Sequence, residues 1–129
     1  MCSRVLFISG RPSDARLLSR MLQRLPLTLD HVSTLRQART KLSQETYDLI
    51  LTEAVLQDGN WLDALHLARE CPQELEVIVT DPLADAQFWA EALNLGAYDL
   101  LAQPFSETEV RRIISNACTH QAYSVAAVS

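Results

Sequence analysis

The sequence predicts an α/β domain, a parallel sheet with helices wound over both of its faces. Three observations predict it. Five short apolar runs alternate with five segments of helical periodicity. The connections between them are short, as a doubly wound sheet requires. The middle run, Leu49-Ile50-Leu51, is aliphatic throughout, as a strand buried on both faces should be. A chain of 129 residues supports one core and one domain.

Taken in order, Val5-Leu6-Phe7-Ile8 is the first strand and ends at Ser9-Gly10. Pro12-Ser13-Asp14 opens a helix, with Ser13 as the expected N-cap. Leu18, Met21, Leu22 and Leu25 recur on its inner face, opposite Arg16, Arg20 and Arg24, and Pro26 stops it. Leu27 to Val32 is a more polar strand, suited to a sheet edge. Thr34 and Gln37 have the spacing of a capping box and start a helix that turns Leu35, Ala38 and Leu42 inward. The central strand, Tyr47 to Glu53, runs into a loop that turns at Asp58-Gly59. A helix from about Trp61 to Glu70 buries Leu62, Leu65 and Ala68, and Pro72 ends it. Leu75 to Thr80 is the fourth strand, Asp85 to Leu95 the fourth helix, and Gly96 its stop. Tyr98-Asp99-Leu100-Leu101 is the fifth strand. Ser106-Glu107-Thr108-Glu109, a second capping box, launches a last helix with Val110, Ile113, Ile114 and Ala117 on one face. Periodicity fades near Gln121, so residues 1–121 read as the domain and residues 122–129 as a tail or the start of a linker. Periodicity alone stops at a flavodoxin-like domain.

Composition excludes several classes of function. The formal charge of −5 argues against direct nucleic-acid binding, which wants a basic patch. No run approaches the ~20 apolar residues of a membrane span, and the N-terminal run is too short for a signal peptide. Cys2, Cys71 and Cys118 are odd in number and widely spaced, which suits reduced thiols in a cytoplasmic protein. His31, His66 and His120 show no ligand spacing, so no metal site is expected. There is no nucleophile elbow and no Ser-His-Asp arrangement, so the chain does not read as an enzyme.

One ionisable residue stands where ligands bind. Glu53 lies at the carboxyl end of the central strand, the end at which open parallel sheets hold their ligands. The surrounding words then resemble a family. Val5-Leu6-Phe7-Ile8-Ser9-Gly10-Arg11, Tyr47-Asp48-Leu49-Ile50-Leu51-Thr52-Glu53 with Leu56-Gln57-Asp58-Gly59, and Gly96-Ala97-Tyr98-Asp99-Leu100-Leu101-Ala102-Gln103-Pro104-Phe105 resemble the receiver domain of two-component response regulators, from about Arg4 to Gln121. The third stretch is the most specific, because Gly96, Ala97, Asp99, Pro104 and Phe105 all fall in register. The resemblance implies a CheY-like fold: a five-stranded parallel sheet in the order 2-1-3-4-5, five helices and three α/β/α layers. It also implies a role in phosphorelay signalling in a bacterial cytoplasm, with a transcriptional output domain as the implied attachment.

The family's working residues are replaced. By the resemblance, its Mg²⁺-binding acidic pair falls on Ser9 and Gly10, a third acidic position on Arg11, and the phosphoacceptor aspartate on Glu53. The switch Thr or Ser falls on Asp81 when counted without gaps from Gly96, and on Thr80 with a shift of one. The ungapped count is preferred. The switch aromatic falls on Leu100 and the lysine on Gln103. Framework residues Gly59, Gly96 and Pro104 are kept. Phosphoryl transfer to a carboxylate rests on positioning and on neutralising charge, which Mg²⁺ and the lysine supply. With them gone, Mg²⁺ binding is expected to be weak or lost, and the chain reads as a pseudo-receiver acting by protein–protein contact. A Glu53–Asp81 pair would repel without a cation, so Arg11 is expected to reach one of them.

The expected partner is another protein or an attached output domain. Phe88 and Trp89 are adjacent on the fourth helix, so one of them must face outward, which suits an anchor of an interface. The resemblance implies a homodimer through the face of helix four, strand five and helix five. Trp61 is a candidate lid over the altered site. Two alternatives compete: a receiver phosphorylated on Glu53 or Asp81, and a small-anion binder at the loop from Ser9 to Ser13. Against the second, Pro12 removes one N–H donor.

Overall fold

Leu49, Ile50 and Leu51 are wholly buried, as a central strand demands. The computed structural model describes residues 3–83 and 85–128, with side chains through residue 120. Cys2 and Ser129 lie outside the described residues, as do the side chains of the expected tail. The chain runs β1 (Ser3–Ile8), α1 (Pro12–Leu22), β2 (Leu27–Val32), α2 (Leu35–Gln44), β3 (Leu49–Glu53), β4 (Val55–Leu56), β5 (Gly59–Asn60), α3 (Trp61–Glu70), β6 (Glu76–Asp81), α4 (Ala86–Leu95), β7 (Asp99–Ala102) and α5 (Glu107–Val128). The main sheet is parallel in the order β2-β1-β3-β6-β7. Counting the long strands alone, this is the expected order 2-1-3-4-5.

Strand alternation sorts the core into two halves. Leu6, Ile8, Ile50, Val77, Val79 and Leu100 face one side and pack with Ala38, Ala64, Ala68 and Ala92 of α2, α3 and α4. Val5, Phe7, Leu49, Leu51, Ile78 and Leu101 face the other, against Leu18 and Leu22 of α1 and Val110, Ile113 and Ile114 of α5. These are the three α/β/α layers. Burying both faces of the middle strands removes their apolar surface from water at roughly 25 cal/mol per Å².

Several local expectations are corrected. Arg11, not Ser13, is the N-cap of α1, because Pro12 takes the first helical position, where its missing N–H costs nothing. The segment after β3 is a two-strand antiparallel hairpin, β4–β5, rather than a plain loop. α3 is capped by Asn60, whose side chain accepts the Leu62 N–H at 2.9 Å while Asp63 accepts the Asn60 N–H at 3.0 Å. That start turns Trp61 inward and Leu62 outward: Trp61 is buried in the core against Phe88, so it is not a lid. α5 continues to Val128, beyond the point where apolar periodicity fades, because the Ala- and Ser-rich stretch holds no Gly or Pro to break it.

At the amino end of the sheet a charged clasp joins three elements. Arg4 Nη2 lies 3.0 Å from Asp30 Oδ2 and 2.9 Å from Glu45 Oε2. The Tyr47 hydroxyl donates to Asp30 at 2.6 Å and contacts Glu45 Oε2 at 3.1 Å. The Arg4 guanidinium also sits over the Tyr47 ring, 5.2 Å from its centre.

Candidate functional site

The carboxyl ends of β1, β3, β6 and β7 lie at one end of the sheet, because all four run parallel. Register decides which side chains meet there. Glu53 of β3 stands opposite Thr80 of β6, and Thr80 opposite Leu101 of β7. Paired residues share a face, so Glu53 and Thr80 point to the side covered by α1 and α5. Asp81 alternates to the other face and pairs with Ala102. By register it is Thr80, and not Asp81, that stands beside Glu53.

The β1–α1 loop approaches Glu53 from above. The Gly10 N–H donates to Glu53 Oε1 at 2.7 Å. Arg11 Nε lies 4.0 Å from Glu53 Oε2, with Arg11 61% exposed and Glu53 13% exposed. The expected partner is present, as an ion pair at its outer limit and not as a hydrogen bond. A pair so exposed on one side is worth at most about 1 kcal/mol. Among the described residues no ion pair reaches Asp81, so the expected Glu53–Asp81 cluster bridged by Arg11 does not form.

Ser9 is fully buried and serves the loop itself: its hydroxyl oxygen accepts the Arg11 N–H at 3.0 Å. His31, on neighbouring β2, holds the Ser9 carbonyl through Nε2 at 2.8 Å. Such a contact makes Nε2 the protonated nitrogen, since a carbonyl can only accept. Gln103 donates from Nε2 to Asp14 Oδ2 of α1 at 2.9 Å, and the peptide joining it to Pro104 is cis. His31 and Asp14 were not singled out in the sequence as parts of this site, and Thr80 was only the second choice for the switch position. A lone His and a helix-start Asp carry no spacing signal, and Thr80 was one residue off the preferred count.

Two buried polar atoms at this end of the sheet, Thr80 Oγ1 and Gln103 Oε1, have no hydrogen-bond partner among the described residues. An unsatisfied buried hydroxyl costs about 1–3 kcal/mol. Thr80→Val is expected to raise stability by about 1 kcal/mol, read as a higher Tm in thermal melts. A lower Tm would mean that the hydroxyl is satisfied by ordered water.

Both framework glycines are held tightly by their surroundings. Gly96 closes α4 at φ 118°, and a Cβ there would sit 2.5 Å from Arg69 Nη2. Gly59 is packed so closely between Leu35 and Asp63 that a side chain would displace one of them. Asp58 accepts the N–H groups of Leu35 and Arg36 at the start of α2, which hold its carboxyl below the usual value.

Residues 5–128 match the family model of the response regulator receiver domain. The chain belongs to that family. This receiver domain is 26% identical over 114 residues to the response regulator protein PilR of Pseudomonas aeruginosa, covering 88% of the chain and 26% of PilR. It is 30% identical over 106 residues to the swarming motility regulation protein RssB of Serratia marcescens, covering 82% of the chain and 48% of RssB. The domain thus spans half or less of the length of these relatives. In structure it is similar to a signal receiver domain assigned to a LuxO repressor protein of Vibrio parahaemolyticus, with a TM-score of 0.90, 19% identity and coverage of 100% and 99% of the two chains. Among the described residues no group of three or more His, Cys, Asp or Glu side chains gathers as a metal-ligand set, and no helix is long and apolar enough to cross a membrane.

Proposed function

We propose that this receiver domain works without phosphoryl transfer and signals through contacts with another protein. The observation that carries the reading is the Gly10 N–H on Glu53 Oε1 at 2.7 Å. A backbone donor holds one oxygen of the carboxylate that would accept the phosphoryl group, and Arg11 stands at the other. The residues of the loop do not fit the Mg²⁺ that the family implies: Ser9 turns its hydroxyl into the loop, Gly10 has no side chain, and Arg11 is a cation. Mg²⁺ wants octahedral oxygen ligands with one or two protein carboxylates, and here a cation and an amide take that side of Glu53. At the lysine position, the Gln103 amide is tied to Asp14.

The alternatives have less support. Asp81 as acceptor faces away from the loop that would bring metal and phosphodonor together. For a small anion at the loop from Ser9 to Ser13, Gly10 N–H is the natural donor, and Glu53 already fills it. The test is incubation with a small phosphodonor and Mg²⁺, followed by intact mass. No mass gain is expected. A phosphoryl adduct that disappears in Glu53→Gln would overturn the reading.

The interaction face is best sought on α4, β7 and α5. Trp89 is 49% exposed there and Leu93 42% exposed, while Phe88 turns into the core. An exposed Trp beside an edge strand is the residue type that anchors interfaces.

A further inference from the structure

A groove of about 410 Å³ lies between α4 and α5 across the edge strand β7. Its apolar floor and wall are Leu100, Ile113 and Trp89. Around them stand three carboxylates, Asp85, Asp99 and Glu109, and one guanidinium, Arg112. None of these four charges has an opposite charge within 4.0 Å among the described residues; Arg111, the neighbour of Arg112, pairs with Glu107 instead. Asp85 and Asp99 each give one oxygen to a backbone N–H, of Phe88 and Leu100 respectively, which fixes both carboxylates at the groove with a second oxygen left over.

We infer that this groove docks a basic segment of a protein partner, with an Arg or Lys side chain seated on the Trp89 face between Asp85 and Asp99. This rests on the reading of the chain as a protein-interaction module and names the chemistry of what it meets. A guanidinium or ammonium is attracted to the electron-rich face of an indole, and Trp is the best such platform. The flanking carboxylates supply the complementary charge that orients the partner and speeds its encounter. The same charges disfavour a second copy as occupant. Each groove carries an excess of negative charge in a chain whose net charge is already −5, so two copies face to face would double the excess.

The probe is a short amidated Arg–Ala peptide, with a Gln–Ala peptide of the same length as control, titrated into the full chain. Trp89 is the exposed one of the two tryptophans, so its fluorescence reports occupancy. The Arg peptide is expected to give a saturable shift that weakens with added salt. Asp85→Asn combined with Asp99→Asn is expected to weaken binding about fivefold or more, since each exposed pair contributes up to about a factor of five. Asn still caps α4, so that variant keeps its fold. An equal response to the Gln peptide, or no response to either, overturns the proposal. So does a sedimentation dimer that Trp89→Ala abolishes, which would assign the groove to a second copy. The intact-mass test reads independently: no peptide binding with no phosphoryl adduct defeats the partner chemistry alone, whereas an adduct defeats the phosphorylation-independent reading.

Discussion

A chain carrying Ser9→Asp, Gly10→Asp, Glu53→Asp and Gln103→Lys together is expected to gain one phosphoryl group from a small phosphodonor with Mg²⁺, where the unaltered chain gains none. At position 10 the scaffold leaves room. A Cβ added at Gly10 meets nothing closer than Glu53 Oε1 at 4.0 Å, and shortening Glu53 withdraws even that contact. Thr80 is already in register beside the acceptor, with a hydroxyl that lacks a partner among the described residues. Arg11 is mostly exposed and bound only at 4.0 Å, so it can swing away from an incoming metal. Placing the acceptor oxygen about 1 Å better is by itself worth about 10²-fold in rate, and the metal and lysine neutralise charge on the phosphoryl oxygens. Glu53→Asp alone should stay unmodified, because it restores neither. Intact mass after incubation reads all three proteins. A quadruple variant that melts cooperatively and still shows no adduct would mean that these four positions do not suffice for phosphoryl transfer.

Tyr47→Phe is expected to cost about 2 kcal/mol, because it removes a buried hydroxyl that donates to Asp30 and contacts Glu45 while keeping the ring under Arg4. For a domain of this size that corresponds to a fall in Tm of about 8 °C. The effect has a pH signature. Burial, and then the bonds to Asp30 and Glu45, push the Tyr47 pKa well above the ordinary tyrosine value of about 10. The folded state therefore favours the neutral phenol. Its contribution is complete below pH ~10 and is lost as pH rises through the folded-state value. The unaltered chain should lose stability in strong alkali, and Tyr47→Phe should lose less there. Denaturant melts across that range check both statements; equal alkaline slopes would show that the hydroxyl is not the group involved.

The two-sided core was legible because Leu49 to Leu51 and Val77 to Val79 are aliphatic, as strands buried on both faces are, whereas the sheet order came from the resemblance to receiver domains. The loop that meets Glu53 was legible too, since the resemblance places Ser9, Gly10 and Arg11 directly after the first strand. What escaped depends on register and hydrogen bonding. Side-chain direction alternates residue by residue, so a shift of one separates Thr80, beside Glu53, from Asp81, on the opposite face. Trp61 and Leu62 exchanged roles for a similar reason: the cap at Asn60 sets the phase of α3, and hydropathy alone could not choose it. The Gly10 amide on Glu53 was unreadable, because a backbone N–H leaves no mark in a sequence.

The bond from Gln103 to Asp14 joins positions 89 residues apart. It stitches the start of α1 to the turn that feeds α5, two helices that already lie side by side on one face. Amide hydrogen exchange should therefore find α1 and the first turns of α5 opening as one cooperative unit, with matched protection. In Gln103→Ala the two should separate, the turn before α5 exchanging first while α1 keeps its protection.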